Sequence, residues 1–223
     1  MTLPAPAAIL FDWDNTLVDS WGVIHHALSV TFEAMGQRPW TLEEARQKVR
    51  KSARDSFPEL FGARAEEATE IFYRTFAESH LERLTPFPGA EAMLEGLGAG
   101  GTLPMAVVSN KKGALLRREA EALGWDRHFI AVVGATDAPR DKPAPDVVDL
   151  ALSGSGVPAG PAVWFVGDTD IDLLCARNSG CSAILLRENP PVPGEFAEAE
   201  PQAHVADCPG LAALVARTAR QDG

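Results

Sequence analysis

Short, nearly continuous apolar runs alternate with segments of helical periodicity along most of the chain, and this alternation limits the fold more than any other feature. Five apolar runs end at a polar or glycine-containing turn, at 7–11, 105–108, 130–133, 163–166 and 183–186. Such runs are typical of strands covered on both faces. Helix-like segments lie between or after them, at 89–97, 112–123, 146–152, 170–179 and 209–219. We therefore predict an α/β fold with a doubly wound parallel sheet.

One region interrupts this alternation directly after the first predicted strand. Residues 20–84 contain no convincing strand, whereas 43–50 and 64–84 have apolar residues at helical spacing. The sequence Thr-Pro-Phe-Pro-Gly at 85–89 is a stiff return point, because each proline fixes φ and restricts the residue before it. We therefore expect a core domain of residues 1–19 and 85–223 and an inserted helical domain of residues 20–84.

The position of this insertion suggests its role. It follows the carboxyl end of a strand, which is where α/β sheets bind their ligands. We interpret it as a lid over that edge, with a purely structural helical bundle as the alternative.

The charge balance limits the partners of the chain. Lys and Arg number 20 against 31 Asp and Glu, which gives a net charge of −11. A field of this sign repels polyanions, so we expect neither a nucleic-acid nor a membrane partner. A small phosphorylated molecule stays compatible with this charge, because a local cation can reverse the potential inside one cleft. The sequence carries no signal for the oligomeric state.

The cysteines and the hydropathy favour a cytoplasmic location. Cys175, Cys181 and Cys208 form no Cys-x-x-Cys pair and are interpreted as reduced thiols. No stretch approaches the ~20 apolar residues that a membrane span needs.

Two acids lie one residue apart where the first predicted strand ends. Asp12 and Asp14 follow the apolar run directly. Two nearby carboxylates repel each other unless a cation or a proton lies between them. An isolated Asp-x-Asp also occurs as a pair of solvated loop acids, so this pair alone leaves both interpretations open.

Three further polar segments are each interpreted as following an apolar run, again at the predicted carboxyl edge. Ser109 and Asn110 offer a hydroxyl and an amide, both able to bond a phosphoryl oxygen. Lys142 offers an ammonium group, a common phosphate ligand. Asp168 and Asp172 belong to an acidic cluster that suits a hard cation. A calcium loop does not fit this cluster, because Leu and Ser stand where the loop needs Gly and the closing Glu.

Together these segments resemble the four ordered motifs of the haloacid-dehalogenase (HAD) superfamily. The matching segments are Asp12-x-Asp14-x-Thr16, Ser109-Asn110, Lys142-Pro143 and Gly167-Asp168 with Asp172. The helical insertion resembles the C1 cap of this family, and phosphoglycolate-phosphatase-like members are the most similar. The resemblance implies a three-layer, Rossmann-like core with an inserted α-helical cap. It also implies a phosphoric monoester hydrolase that acts on a small phosphorylated metabolite.

The resemblance further implies roles for the core residues. Asp12 is expected to be the nucleophile that forms an aspartyl-phosphate, and Asp14 the general acid and base. Ser109 and Lys142 are expected to neutralise the phosphoryl oxygens. A Mg²⁺ ion is expected on a set of oxygen ligands from Asp12, the backbone carbonyl of Asp14, Asp168 and, directly or from behind these, Asp172.

Other residues are expected to bind the substrate or shape the site. The indole of Trp13 could narrow the pocket or simply pack against the insertion, and the amide group of Asn110 is a second candidate in the core. A basic cluster with Arg50 and Arg54 is a candidate in the insertion. This cluster could meet a substrate carboxylate or form a solvated helix face. Asn15 stands where many family members have Gly, and Asn tolerates the left-handed backbone that such a turn requires.

Two alternatives to a phosphatase stay open. A hexose-phosphate mutase of the same superfamily carries a histidine in the cap, and His25 and His26 lie near that place but one or two residues out of step. A non-catalytic phosphate-binding or regulatory scaffold is the alternative from another class. The placement of Asp12 and Asp14 in one motif argues against a phosphorelay receiver, and the acid at position 14 argues against a dehalogenase.

Overall fold

The computed structural model describes residues 3–49 and 51–220. The chain divides into two compact units. We call residues 1–17 and 86–223 the core unit, and residues 18–85 the helical unit. For comparison, the insertion predicted from the sequence spans residues 20–84.

The helices and strands follow one another along the chain in a fixed order. They are β1 (Ala8–Phe11), β2 (Val18–Asp19), α1 (Trp21–Ala34), α2 (Leu42–Lys48), α3 (Ala53–Phe61), α4 (Ala65–Ser79), β3 (Thr85–Pro86), α5 (Ala90–Gly98), β4 (Met105–Lys112), α6 (Gly113–Ala122), β5 (Ala131–Ala135), α7 (Asp146–Leu152), β6 (Val163–Gly167), α8 (Asp170–Asn178), β7 (Ser182–Leu186), β8 (Ala203–Val205) and α9 (Cys208–Ala219). Short 3₁₀ turns occupy Gly62–Arg64 and Asp126–His128.

The core unit is built on a six-stranded sheet in the order β5-β4-β1-β6-β7-β8. All its strand pairs are parallel. The chain leaves β1 for β4 and β5 on one side and later returns to β6, β7 and β8 on the other. Open α/β sheets bind ligands beyond the carboxyl ends of the strands where the order reverses. This topology therefore places the candidate site at the ends of β1 and its two neighbours.

Helices cover the sheet because its strands are apolar on both faces. Leu10 and Phe165 belong to a buried cluster that also contains Val147 of α7 and Leu173 of α8. Side chains alternate along a strand, so Phe11 points to the opposite face. The Phe11 ring meets Phe129 there edge to face at a centroid distance of 6.4 Å. The three-layer α/β fold class predicted from the sequence is confirmed.

Some elements differ from the sequence prediction. The strand β8 was missed, since its three residues are only half buried and include His204. The strand β4 continues through the predicted turn to Lys112, with an irregular register between Val108 and Lys112. Such an irregularity re-aims the side chains of a strand.

The helical unit has its own apolar core. Buried Leu28, Phe32, Phe57, Phe61 and Ala68 form this core with Met35 and Ala45. Within the predicted helical insertion no separate segments were predicted for α1 and α3, and the predicted helix at 64–84 ends at Ser79 in the structure.

The start of α2 has a clear local cause. Thr41 accepts a hydrogen bond from the Glu44 backbone at 3.1 Å, and the Glu44 carboxylate accepts one from the Thr41 backbone at 2.7 Å. This reciprocal pair satisfies two N–H groups at the helix start. Across both units, none of the helices within the described residues has the length and apolar character required to cross a membrane.

Candidate active site

Asp12 lies at the end of the central strand. Its backbone N–H donates to the Val166 carbonyl of β6 at 2.8 Å, so the strand pairing continues through Asp12. In the sheet register Phe11 is level with Val107 and Val166. The residues that follow these three positions are therefore neighbours at one edge. This edge collects Asp12 from β1, Ser109 from β4 and Asp168 from the end of β6.

Lys142 joins two of the predicted acids. Its Nζ donates to Asp12 Oδ1 at 2.6 Å and to Asp172 Oδ1 at 2.7 Å. All three side chains are buried. An ammonium group held between two carboxylates is fixed in position, and it fixes the orientation of both acids in turn.

A third acid completes a compact group of oxygen donors. One carboxylate oxygen from each of Asp12, Asp168 and Asp172 lies within 4.8 Å of the others. The hydroxyl of Thr16 donates to Asp168 Oδ1 at 3.3 Å and lies 3.5 Å from Asp12 Oδ2. Three carboxylates thus face a single ammonium group from Lys142.

The excess of negative charge is visible in the pKa values. Burial, together with the charges of Asp172 and Asp14, raises the pKa of Asp12 from its ordinary value of 3.8 to about 7, against the opposing effect of Lys142. Burial, together with repulsion from Asp172 and Asp12, also raises the pKa of Asp168 well above 3.8. For Lys142, burial opposes the charged form, but the two carboxylates outweigh it and raise the pKa above 10.5.

These residues fit a hard divalent cation. The donors are carboxylate oxygens, which Mg²⁺ prefers, and they lie close together on two buried side chains and one half-buried side chain. Burial and mutual repulsion raise the pKa of both Asp12 and Asp168, so their charged forms lack sufficient compensating positive charge. A divalent cation would supply that charge.

Asp172 is the most enclosed member of this group. Its second oxygen, Oδ2, accepts hydrogen bonds from the Thr169 backbone at 3.0 Å and the Thr169 hydroxyl at 2.9 Å. A Cβ added at Gly167 would lie 2.3 Å from the Asp172 Cγ. Glycine at position 167 is therefore what lets this carboxylate lie against the end of β6.

Asp14 is bound in a separate cluster of charges. Its Oδ1 lies 2.6 Å from the Nζ of Lys111, and the same Nζ lies 2.5 Å from Glu119 Oε2. Burial opposes the charge of Lys111, but Asp14 and Glu119 outweigh this effect and raise its pKa. Between the two acids of the motif, Asn15 has a φ of 64°. The left-handed backbone that Asn was expected to tolerate is confirmed.

Ser109 and Asn110 have different surroundings. Ser109 is buried, and its hydroxyl accepts a hydrogen bond from the Lys111 backbone at 3.2 Å. The side chain of Asn110 instead makes two hydrogen bonds to the backbone of Lys142, to its carbonyl at 3.2 Å and from its N–H at 3.0 Å. This amide therefore holds the loop that carries Lys142, and its predicted contact with a substrate stays a prediction.

The side chain of Trp13 lies inside the core unit. Its indole is fully buried in the core unit and packs edge to face on Trp125 at a centroid distance of 5.8 Å. The indole N–H donates to Glu119 Oε2 at 2.7 Å. The ring thus has its partners inside the core unit, and a role of Trp13 in substrate binding stays a prediction.

The remaining candidates belong to the helical unit or lie outside the described residues. Arg50 lies outside the described residues. Arg54 is exposed near the start of α3. On α1, the ring of His25 is hydrogen-bonded to the Trp40 carbonyl at 2.9 Å, and His26 is exposed. These contacts give His25 a structural partner within its own unit.

Three residues of the site were not among the site residues predicted from the sequence. Thr16 was part of the matched motif, and its spacing of two from Asp14 was the available signal. Lys111 follows Ser109 by two residues on β4, and this spacing was a weaker signal. Glu119 had no signal, because a single glutamate on an amphipathic helix is normally solvated.

Comparisons with known proteins agree with this geometry. A sequence model of the haloacid dehalogenase-like hydrolase family matches residues 9–186. A phosphoglycolate phosphatase from Caulobacter vibrioides is 32% identical over 189 residues, which cover 81% of this chain and 78% of that protein. One from Pseudomonas fluorescens (strain Pf0-1) is 27% identical over 189 residues, covering 80% and 68%.

A solved structure supports the fold. A haloacid dehalogenase-like family hydrolase from Streptococcus pneumoniae has a TM-score of 0.81 at 23% identity, over 94% of this chain and 98% of that chain. The predicted resemblance to phosphoglycolate-phosphatase-like members and the prediction of a hydrolase are confirmed by these matches. With four motifs converging on one sheet edge and a family match over most of its length, this chain belongs to the haloacid dehalogenase-like hydrolase family.

Proposed function

We propose that this protein is a Mg²⁺-dependent phosphatase that transfers the phosphoryl group of a small phosphorylated metabolite first to Asp12 and then to water. The observation that carries the proposal is the buried cluster at the end of β1. There Asp12 is held by Lys142 at 2.6 Å and lies in one group of oxygen donors with Asp168 and Asp172.

In the first step Asp12 acts as the nucleophile. One of its carboxylate oxygens forms a bond to phosphorus while the bond between phosphorus and the leaving oxygen breaks. The leaving oxygen takes the proton of the Asp14 carboxyl and departs as an alcohol. This route divides one difficult displacement into two easier ones.

In the second step water releases the phosphate. Asp14, now a carboxylate, takes a proton from a water molecule whose oxygen bonds to phosphorus. The bond between phosphorus and Asp12 breaks, which restores the Asp12 carboxylate and the Asp14 carboxyl. Asp14 thus acts as an acid in one step and as a base in the next.

The charge of the phosphoryl group needs compensation in both steps. The Lys142 ammonium, the Ser109 hydroxyl and the backbone N–H groups near the ends of β1 and β4 are the proposed donors. Asp12, the backbone carbonyl of Asp14 and Asp168 are the proposed Mg²⁺ ligands, with Asp172 behind them. When bound, Mg²⁺ supplies positive charge opposite the phosphoryl oxygens.

The substrate class is proposed from the relatives. Several of them are named phosphoglycolate phosphatases, so a short phosphorylated acid is our first candidate. Arg54 in the helical unit is the proposed partner of its carboxylate. An Arg guanidinium matches a carboxylate with two parallel hydrogen bonds.

The test is phosphate release from a panel of phosphorylated metabolites, with Mg²⁺ and with a chelator. We expect phosphate release in the samples with Mg²⁺ and none in those with the chelator. In Asp12→Asn we expect kcat to fall by about a thousandfold or more, because the amide is a poor nucleophile. Phosphoglycolate is expected among the best substrates, with a raised KM in Arg54→Gln.

The matched control is Asp126→Asn, which changes an exposed carboxylate of the core unit. This variant should keep the parent rate. Parent-level turnover by Asp12→Asn would contradict the assignment of the nucleophile. Isomerised sugar phosphates without phosphate release would favour the mutase, and no reaction with any compound would favour a non-catalytic scaffold.

A further inference from the structure

The core unit contains two buried lysines, and each bridges two carboxylates. Lys142 joins Asp12 and Asp172, at 2.6 and 2.7 Å. Lys111 joins Asp14 and Glu119, at 2.6 and 2.5 Å. The first bridge holds the proposed nucleophile, and the second holds the proposed acid and base. The second bridge has no role in the steps described so far.

Glu119 is an unusual residue for its position. It lies on α6 and is only 1% exposed, although glutamate is almost never fully buried unless it is paired. Its neighbour Glu121 on the same helix is exposed. Burying a carboxylate costs free energy unless partners compensate for the lost hydration. One partner of Glu119 is Lys111, which also contacts Asp14.

Glu119 is itself fixed by two donors on one oxygen. The Trp13 indole N–H and the Lys111 ammonium both donate to Oε2, at 2.7 and 2.5 Å. Trp13 in turn packs on buried Trp125. The position of the Lys111 ammonium is therefore set by contacts with buried groups rather than by solvent.

Asp14 differs from Glu119 because its side chain is partly accessible, at 19%. A partly exposed carboxylate on a turn has several rotamers of similar energy. The fixed ammonium of Lys111 contacts Oδ1 of Asp14 and thereby selects one orientation of this carboxylate. The Oδ2 atom of Asp14 does not take part in this contact. Proton transfer requires such an orientation, because the acid must lie within hydrogen-bond reach of the reacting oxygen.

We propose that Lys111, held by Glu119, is a positioning residue that orients the carboxylate of Asp14 for proton transfer. This inference rests on the proposed function, since it assigns a task within that reaction. Trp13 contributes through Glu119, to which its indole N–H donates.

The test compares two substrates that differ in their need for a proton. An alkyl phosphate has a poor leaving group that must be protonated. An aryl phosphate such as p-nitrophenyl phosphate instead releases a phenolate, which is stable as an anion. The ratio of the two kcat/KM values reports leaving-group protonation. Partial unfolding does not change it, because unfolding lowers both values equally.

We expect Glu119→Gln and Lys111→Met to lower kcat/KM for the alkyl phosphate about tenfold or more, and that for the aryl phosphate less than about threefold. Trp13→Phe keeps an aromatic ring at this position but removes the indole N–H, so a smaller change of the same sign is expected. In acid-quench experiments with the aryl substrate, the phosphorylated fraction of enzyme should rise, because Asp14 also activates the water.

The matched control is Glu121→Gln, which should leave the ratio unchanged. Equal losses for both substrates in Glu119→Gln would overturn the inference while leaving the proposed function intact, and equal losses in Lys111→Met would count against the inference as well. If Asp12→Asn retains the turnover of both substrates, the proposed function fails and the inference fails with it. Because Glu119→Gln is nearly isosteric, it decides the question even if Lys111→Met does not fold.

Discussion

At the scale of single residues, the site depends on side chains that are held by specific neighbours. Lys142 and Lys111 each lie between two carboxylates, and Thr16 hydrogen-bonds to Asp168. These contacts orient the acids before any ligand is bound. Pre-oriented charged groups need little reorganisation during a reaction, which is the main source of electrostatic stabilisation in enzymes.

The close approach of Gly167 and Asp172 gives a prediction at this scale. Gly167→Ala would place a Cβ 2.3 Å from the Asp172 Cγ, so either the carboxylate or the end of β6 must move. We expect a loss of about 1–3 kcal/mol in the free energy of unfolding, as for other overpacked sites, together with reduced phosphate release. Denaturant unfolding and initial rates measure the two effects.

Gly154→Ala is the control for this substitution. Gly154 is exposed, and nothing lies within 4 Å of its added Cβ, so its effect should stay within about 0.5 kcal/mol. Equal stability and activity of the two variants would show that neither folding nor phosphate release depends on the position of the Asp172 carboxylate.

At the scale of elements, strand β4 organises the site. It supplies Ser109 and Lys111, and through Asn110 it holds the loop before α7. The irregular register at its carboxyl end directs consecutive polar side chains to different partners. A single strand end thereby serves both lysine bridges.

Removing the link between β4 and this loop is the second prediction. In Asn110→Ala the backbone N–H and carbonyl of Lys142 each lose a hydrogen-bond partner. We expect a loss of about 1–3 kcal/mol in the free energy of unfolding. We also expect kcat to fall about tenfold because the Lys142 ammonium is misplaced. Thermal melts and steady-state kinetics test this prediction.

Asn178→Ala provides a comparison on the same loop. Asn178 is exposed and donates one hydrogen bond, to the Pro143 carbonyl at 2.9 Å, so a cost of about 1 kcal/mol or less is expected. A kcat loss in Asn178→Ala as large as that in Asn110→Ala would contradict a special role for the Asn110 amide.

At the scale of the whole molecule, the buried acids link stability to pH and to metal. The pKa of Asp12 is raised to about 7 from 3.8, so between these values the folded protein keeps a proton that the unfolded chain releases. The folded state then binds more protons, and its stability falls as the pH rises through this interval. Asp168 acts in the same direction.

We therefore predict that the chelated protein loses stability between about pH 5 and pH 7, by up to about 1.4 kcal/mol per pH unit from Asp12. Mg²⁺ should flatten this dependence and raise the melting temperature, because it binds the folded state. Thermal melts at several pH values, with Mg²⁺ and with chelator, provide the measurement. The slope should decrease in Asp12→Asn, and an unchanged slope there would refute the linkage.

Carboxylates with a lowered pKa affect stability in a different pH range from Asp12. Glu44 in the helical unit has a pKa lowered to about 2, by hydrogen bonds from the Thr41 backbone and from Arg38. A lowered pKa stabilises the folded state at higher pH and loses this effect only as the pH falls below about 4.5. Its contribution is therefore nearly constant where that of Asp12 changes.

The sequence by itself determined the features that depend on short segments. Continuous apolar runs identified the parallel strands, since a strand covered on both faces cannot contain regular polar positions. The order of the motifs around Asp12, Ser109, Lys142 and Asp168 identified the family, and the carboxyl edge followed from parallel strand direction. Helices α1 and α3 were missed because their apolar residues make sense only within the core of the helical unit.

Only the tertiary structure decided which side chains meet. Trp13 and Glu119 are 106 residues apart in sequence, and Lys142 is 130 residues from Asp12. The Trp13 indole and the Asn110 amide were assigned to the substrate from their types and positions, yet both are satisfied inside the core unit. A polar group pairs with whatever donor or acceptor the packing brings within about 3 Å, and that packing is a property of the whole fold.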